Sequence, residues 1–351
     1  MDPAAGVKKI SVVMENVSKN GDPKSIPACT LPLTGKNVVD MVITDLAVFQ
    51  RPDHQSPFRL IELAPGGGGG LEHLASAHMF IDSFGFTRRQ GEYDNLSLIS
   101  HEYFHLCNVK RLRPLALGPF NYERENYTRD LWLAEGVTDY YADLLLRRAG
   151  LATPEELLKD LGKAIKQYED APGRGVQSAG DSSFDTWIKY YRPDEDSPNT
   201  TLSYYVKGKL IGWLLDGELR RRTGGKASLD DLMRSLFTLT QTRNRGYTDA
   251  EVVAAVEKLA PGDWVAAFFR DFVNGTVPID WAPLFAGYGL KLNPKPVKPE
   301  GITHPVSSLG VRLGGEGGGV RIRQVLAANP AEPAGLKPGG EIVEIGRGEV
   351  R

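Results

Sequence analysis

The sequence predicts an α+β fold, and three observations carry that reading. From Lys8 to about Leu63, short β-type runs alternate with turns; the middle of the chain is punctuated by helix caps; short alternating strands return near the C-terminus. The N-terminal runs are KKISVVM, NVVDMVITDLAVF and FRLIELA, broken by NGDPKS and RPDHQSP. A glycine run, Gly66 to Gly70, follows as a loop in which backbone can approach a ligand closely. The apolar spacing of LEHLASAHMFIDSF then predicts a helix. Thr153-Pro154-Glu155-Glu156 opens a helix with a cap, a first-turn proline and acids that suit the positive end of the macrodipole. Thr248 with Glu251 forms a capping box, Ser228 caps LDDLMRSLF, and Asn274-Gly275 stops DWVAAFFRDFVNG. A proline- and lysine-rich spacer, Lys291 to Gly301, marks a domain boundary, after which SSLGVRL, GGVRIRQV and GGEIVEIG read as strands. No internal repeat of fixed period is present.

Composition narrows the classes of function. With 351 residues, 41% hydrophobic and 25% charged, the chain is globular material rather than a disordered tail. Lys+Arg 42 against Asp+Glu 44 leaves a formal charge of −2, so no global field points to nucleic acid or to an anionic membrane. The two cysteines, Cys29 and Cys107, do not make a disulfide framework, and a reducing compartment, the cytoplasm, is expected. MDPAAGVKKISVV lacks the apolar core of a secretory signal, and no membrane span is expected.

The chemistry concentrates in HEYFHLCN, His101 to Asn108. Residues four apart share one helix face, so His101 and His105 can present two imidazole nitrogens to one ion, with Glu102 one position round. This is the His-Glu-x-x-His pattern of zinc hydrolases. A hydrolytic zinc site needs a third protein ligand and an open position. Downstream, DLWLAEGVTDYYADLLLRRAG has the period of a second buried helix, and Glu135 sits there among Trp132, Leu133 and Ala134. An unpaired carboxylate in that setting is costly, so Glu135 either binds a metal or pairs with an arginine. With Zn2+ bound by His101, His105 and Glu135, Glu102 is placed to take the proton of the attacking water and pass it to the leaving amine.

HEYFHLCNVKRLRP, LWLAEGVTDYYADLLLRRAG, GGGGGLEH and YYVKGKLIGWLLDGELR, in that relative placement, resemble the glycyl aminopeptidase family of zinc metallopeptidases. The resemblance covers roughly Phe58 to Arg351. It implies a thermolysin-like catalytic domain followed by a PDZ domain, His101, His105 and Glu135 as zinc ligands, and Glu102 as catalytic base. In GGLEH, Gly69, Gly70 and Glu72 stand where related aminopeptidases carry Gly-x-Met-Glu-Asn, whose carboxylate grips the substrate's α-amine. His73 departs from the asparagine and receives no role. Tyr205 matches the Tyr-x-Lys-Gly tyrosine that donates to the oxyanion of the tetrahedral intermediate, with Tyr204 as its neighbour. The interval between His105 and Glu135 is longer than in the related alanyl and leucyl enzymes. Cys107, where the family more often has tryptophan, is expected as a small buried hydrophobe, and Lys110, Arg111 and Arg113 as a structural basic cluster.

The expected domains are a remnant of an N-terminal β-rich domain over 1–55, the catalytic domain with its helical bundle over 56–292, a linker over 293–304 and a partial PDZ domain over 305–351. The expected activity is hydrolysis of N-terminal residues from peptides with a free N-terminus. The resemblance implies a preference for glycine or alanine, and a peptide C-terminus would bind at SLGVRL if the PDZ domain is complete. The rival readings are a catalytically inactive scaffold that binds through the PDZ domain, and a zinc endopeptidase. Intact ligands and base count against the first, and GGLEH, whose carboxylate would block chain extension, against the second.

Overall fold

The structure, a computed structural model, describes residues 68–74, 76–81, 85–291, 309–314 and 320–343, together with the backbone of three earlier strands. Those strands are β1 (Ser11–Met14), β2 (Asp40–Ile43) and β3 (Arg59–Glu62), one within each N-terminal run named above. β1 and β2 pair in parallel. β3 belongs to a sheet of order β3-β5-β4, made with β4 (Gly69–Glu72) and β5 (Ser76–Phe80); β3 runs parallel to β5 and β4 antiparallel to it.

This sheet corrects one expectation, since LEHLASAHMF forms a strand, a turn and a second strand instead of a helix. Burial in β5 alternates, with Ala77 and Met79 inside, while Leu71 and Leu74, which would have formed the helix stripe, are exposed. A 3.6-residue reading of a short apolar run yields when neighbouring strands can take up its backbone groups.

The helices follow in order. α1 (Arg89–Phe104) buries Leu96, Ile99, Tyr103 and Phe104 together with Asn95, Ser100, His101 and Glu102, so its last two turns lie inside the protein on every side. A π-helical turn, Trp132–Gly136, leads into α2 (Val137–Arg148). α3 (Pro154–Glu169) starts on the Thr153/Glu156 capping box, and Glu156 also takes the Arg89 guanidinium at 2.7 Å, tying α3 to α1. α4 (Ala179–Phe184) and α5 (Ser197–Thr200) are short. α6 (Tyr204–Thr223) runs through the centre and stops at Gly224, whose φ of 61° is the left-handed conformation glycine tolerates. α7 (Leu229–Arg243) starts at the N-cap expected at Ser228, which proves to be a capping box with Asp231, and α8 (Asp249–Leu259) carries the capping box expected at Thr248. α9 (Trp264–Phe268) passes into a second π-helical turn that ends at Asn274, and α10 (Trp281–Gly287) closes the bundle.

One crossing positions the site. α6 meets the Trp132–Gly136 turn glycine to glycine: a Cβ on Gly136 would lie 2.4 Å from Gly208 Cα, and one on Gly208 would lie 2.3 Å from the Trp132 carbonyl. Only hydrogen fits at either place, and that closeness brings the start of α6, with Tyr204 and Tyr205, against Glu135.

The linker proposed at 293–304 lies outside the described residues. Beyond it β6 (Val311–Gly314), β7 (Val320–Val325) and β8 (Glu341–Ile342) form an antiparallel sheet, one strand in each of the C-terminal runs named above. It docks on the helical unit through Asn199, whose amide donates to Val325 O at 2.9 Å and whose carbonyl accepts from Ala327 N at 2.8 Å. No helix among the described residues is long and apolar enough to cross a membrane.

Candidate metal centre and active site

The end of α1 supplies His101, and the chain just past its last residue supplies His105, still in helical conformation. The two rings meet edge to face with centroids 4.5 Å apart, and their Nε2 atoms stand 2.9 Å from each other. Glu135, on the π-helical turn, brings Oε2 to 3.3 Å from His101 Nε2 and 3.1 Å from His105 Nε2. Three donor atoms that lie on two separate helical segments of the sequence thus converge on one point. A π-helical turn offsets the side chains that follow it, and such turns recur at functional sites for that reason.

The orientation of each ring is fixed from behind. His101 Nδ1 lies 2.7 Å from Asp139 Oδ1, and His105 Nδ1 lies 2.7 Å from the Asn108 carbonyl. Both partners are acceptors, so each Nδ1 carries the proton and each Nε2 presents a lone pair inward. Asn108 is fully buried, and its amide donates to the Leu133 carbonyl at 3.0 Å and to Thr138 Oγ1 at 3.0 Å, which joins the chain after α1 to the turn bearing Glu135.

Two lone pairs and a carboxylate oxygen facing one another are mutually repulsive without a positive charge among them. Burial alone lowers the affinity of His101 for a proton, yet Asp139 and Glu135 outweigh it and hold its pKa well above the ordinary value. His105 is raised for the same reason, Glu135 opposing burial, and the histidines hold Glu135 below the usual carboxylate range although burial pushes it up. The donor set answers to a cation. Tetrahedral ligands at zinc distances lie about 3.3 Å apart, close to the spacings here, and two imidazoles with one carboxylate suit zinc chemically.

Glu102 faces the same space. Its Oε2 is buried without a hydrogen-bond partner, and burial pushes its carboxyl up to about 7 against the opposing pull of His105 and His101. β4 passes directly over it: a Cβ on Gly70 would come within 2.2 Å of the Glu102 carboxyl carbon, so the strand can lie there only as glycine. Gly69, next to it, has φ of 145°, also a glycine conformation. Glu72 ends β4, and its side-chain oxygen lies within 4.8 Å of ligand atoms of both Glu102 and His105. It is ion-paired with Lys110 at 2.9 Å. Tyr205 lies with its ring centroid 6.4 Å from that of His101, its hydroxyl raised in pKa by burial and then by Glu135. Tyr204, behind it, is fully buried and stacks on it at 4.5 Å.

All eight sequence-selected residues, Gly69, Gly70, Glu72, His101, Glu102, His105, Glu135 and Tyr205, therefore line one cavity of about 940 Å³. Cys107 is buried nearby, as expected. Sequence reasoning passed over Asp139, Asn108 and the pairing of Lys110 with Glu72. Asp139 follows Glu135 by one helical turn, which is the signal that could have found it.

Comparison with known proteins gives the class first. Residues 94–211 match the profile of M61 glycyl aminopeptidase. An aminopeptidase N family protein from Idiomarina loihiensis superposes with a TM-score of 0.74 at 29% identity, over 84% of this chain and 52% of that one. The fold is similar to that of an aminopeptidase N family protein, and the matched segment to a peptidase family. More particularly, the segment 94–211, about a third of the chain, is similar to the glycyl aminopeptidase family.

A second, short likeness is of another kind. One of the polypeptides of the Helicobacter pylori succinyl-CoA:3-ketoacid coenzyme A transferase is 47% identical over 66 residues, 19% of this chain and 31% of that polypeptide. The probable counterpart from Bacillus subtilis is 55% identical over 49 residues, 14% of this chain and 23% of that protein. The chain spans about a third or less of these curated relatives, too small a share of either partner to carry the transferase's activity across.

Proposed function

We propose that the chain is a zinc-dependent aminopeptidase of thermolysin-like architecture that removes N-terminal residues from peptides. What carries the reading is the convergence of His101 Nε2, His105 Nε2 and Glu135 Oε2 within 2.9 to 3.3 Å, with the unpartnered Glu102 carboxylate beside them. His101, His105 and Glu135 would hold the zinc, which when bound would supply Lewis-acid polarisation of the scissile carbonyl and a more acidic attacking water. Asp139 and Asn108 keep both Nε2 lone pairs aimed at it. Glu102, in a dry position with no competing donor, accepts the water proton at a carboxylate oxygen and returns it to the leaving nitrogen. The Tyr205 hydroxyl stays protonated and donates to the oxygen that becomes negative.

The edge of β4 lies along the cleft, where Gly69 and Gly70 let a substrate backbone come close. Glu72 takes the substrate's ammonium: Lys110 holds one of its oxygens and the second remains for the incoming amine. This charge pair makes the enzyme an exopeptidase. The preference for glycine or alanine comes with the family resemblance. The C-terminal sheet is read as part of a PDZ module able to take a peptide C-terminus when complete.

The test combines zinc analysis with matched substrates. One zinc per chain and loss of turnover on chelation are expected. Glu72→Ala should lower kcat/KM on a free-amine alanyl peptide about 30- to 5,000-fold, the usual effect of truncating one member of a desolvated charge pair, with zinc content unchanged. Wild-type protein that cleaves the N-acetylated peptide as well as the free one would refute the exopeptidase assignment.

A further inference from the structure

The two flanks of the cleft are lined differently. Glu72 groups with Glu102 and His105 on one side. On the His101 side stands a run of aromatic rings: Tyr205 packs at 5.9 Å on Tyr190, Tyr190 at 5.3 Å on Tyr191, and Tyr191 at 5.9 Å on Trp187. Four of these rings, Tyr190, Tyr191, Trp187 and Tyr205, line the same cavity as the metal donors. Three of them remain open to water, Trp187 at 49%, Tyr191 at 54% and Tyr190 at 38% of full exposure. Adjacent large rings held at the surface beside the metal donors, instead of folded into the core, offer a binding face.

Tyr190 also lines a second groove, of about 410 Å³, together with Pro193, Pro198, Arg312 and Gln324, which lies between the rings and the C-terminal sheet.

We infer that the Trp187–Tyr190–Tyr191 face is the subsite for the residue that follows the scissile bond, and that it selects peptides with an aromatic or large aliphatic residue there. The inference rests on the aminopeptidase reading. With the ammonium held at Glu72, on the His105 flank, the chain crosses the donor triad and leaves over His101 and Tyr205, which directs the second side chain onto the rings. Offset and edge-to-face ring contacts favour an aromatic guest, and the apolar area covered favours leucine over glycine.

The experiment measures alanine release from the free tripeptides Ala-Gly-Gly, Ala-Leu-Gly and Ala-Phe-Gly, with an N-acetyl control, using the full chain loaded with zinc. Wild-type kcat/KM should rise about 10- to 100-fold from glycine to phenylalanine at the second position, the range one apolar pocket supplies. Trp187→Ala should compress that range to about threefold with little change on Ala-Gly-Gly, while Trp187→Phe keeps most of it. Trp187 is half exposed, so both variants should fold, and equal zinc content and thermal midpoint would verify that. A flat wild-type series with the acetylated peptide still refused overturns the subsite and leaves the aminopeptidase reading intact. Equal slowing of all three peptides by Trp187→Ala overturns it as well. Cleavage of the acetylated peptide at the wild-type rate overturns both, because the direction of the chain is then lost.

Discussion

The two halves of the cleft, the one proposed for reaction and the one proposed for recognition, are built by opposite means. The donors His101, His105 and Glu135 sit on buried helical backbone, each histidine held by a second residue, and the glycine crossing of Gly136 and Gly208 leaves no room for adjustment. The recognition half is an edge strand and a surface run of rings, where Glu72 and Lys110 are partly open and Trp187 and Tyr191 face water. Chemistry that depends on tenths of an ångström needs over-determined positions, whereas recognition tolerates side chains that repack. Substitutions in the first half should therefore strike metal binding and turnover, and substitutions in the second should redistribute substrates.

The largest effect is expected at Glu102. Glu102→Gln keeps the shape of the side chain and removes its capacity to accept a proton. Zinc content should stay at wild type while kcat/KM falls about 10²- to 10⁴-fold on every substrate tested. A near-normal rate would take the proton-transfer role away from Glu102 and, with it, the contrast between the halves.

A smaller effect is expected behind His101. Asp139→Ala frees the ring to turn and removes the acceptor that fixes its tautomer, so zinc affinity, measured by competition with a chromogenic chelator, should weaken about 10- to 100-fold. Asp139→Asn, whose side-chain carbonyl still accepts from Nδ1, should fall between the alanine variant and wild type. Both should leave the free-amine over acetylated preference intact, since Glu72 is untouched. A change in that preference would mean that the two halves are coupled.

The same division explains what could be read without a structure. His101, Glu102 and His105 are legible because helical spacing alone places them, and Glu135 because a carboxylate among Trp132, Leu133 and Ala134 demands a partner. The caps at Thr153, Ser228 and Thr248 are local chemistry and need no tertiary context. The strands β4 and β5 were hidden because the run from Leu71 to Phe80 fits a helical stripe, and only pairing with β3, a non-local partner, decides otherwise. Lys110 reads from the sequence as a member of a structural basic cluster, solvated or carboxylate-paired, and its partner Glu72 could not be named because it lies on a different element. Asn108, in the chain after α1, and Asp139, on α2, are single polar residues whose work appears only when the direction of an imidazole is known. The rings of DTWIKYYRP have the composition of a core segment, and their exposure is a tertiary fact.

The smallest expected effect tests whether the buried half carries its electrostatic cost in stability rather than specificity. Asp130 begins the π-helical turn, its carbonyl accepting from Leu133 N at 3.0 Å and Ala134 N at 2.9 Å, and its side chain is buried. Burial pushes the Asp130 carboxyl up to about 8, and hydrogen bonding with the neighbouring carboxylate of Asp249 adds to this against the pull of Arg129; the buried Tyr247 phenol also faces the pair. Asp130 therefore holds its proton well above the usual carboxylate range. An unfolded aspartate releases its proton near pH 4, so the folded state binds more protons between that value and about 8, and stability falls as pH rises across this window. Asp130→Asn replaces the carboxyl proton with an amide donor present at every pH. The variant should match wild type near pH 5 and exceed it above pH 8 by on the order of 1 kcal/mol in urea unfolding, with the preference among alanyl peptides unchanged. A stability difference that does not vary between pH 5 and pH 9 would mean that the Asp130 carboxyl is not raised in the folded protein.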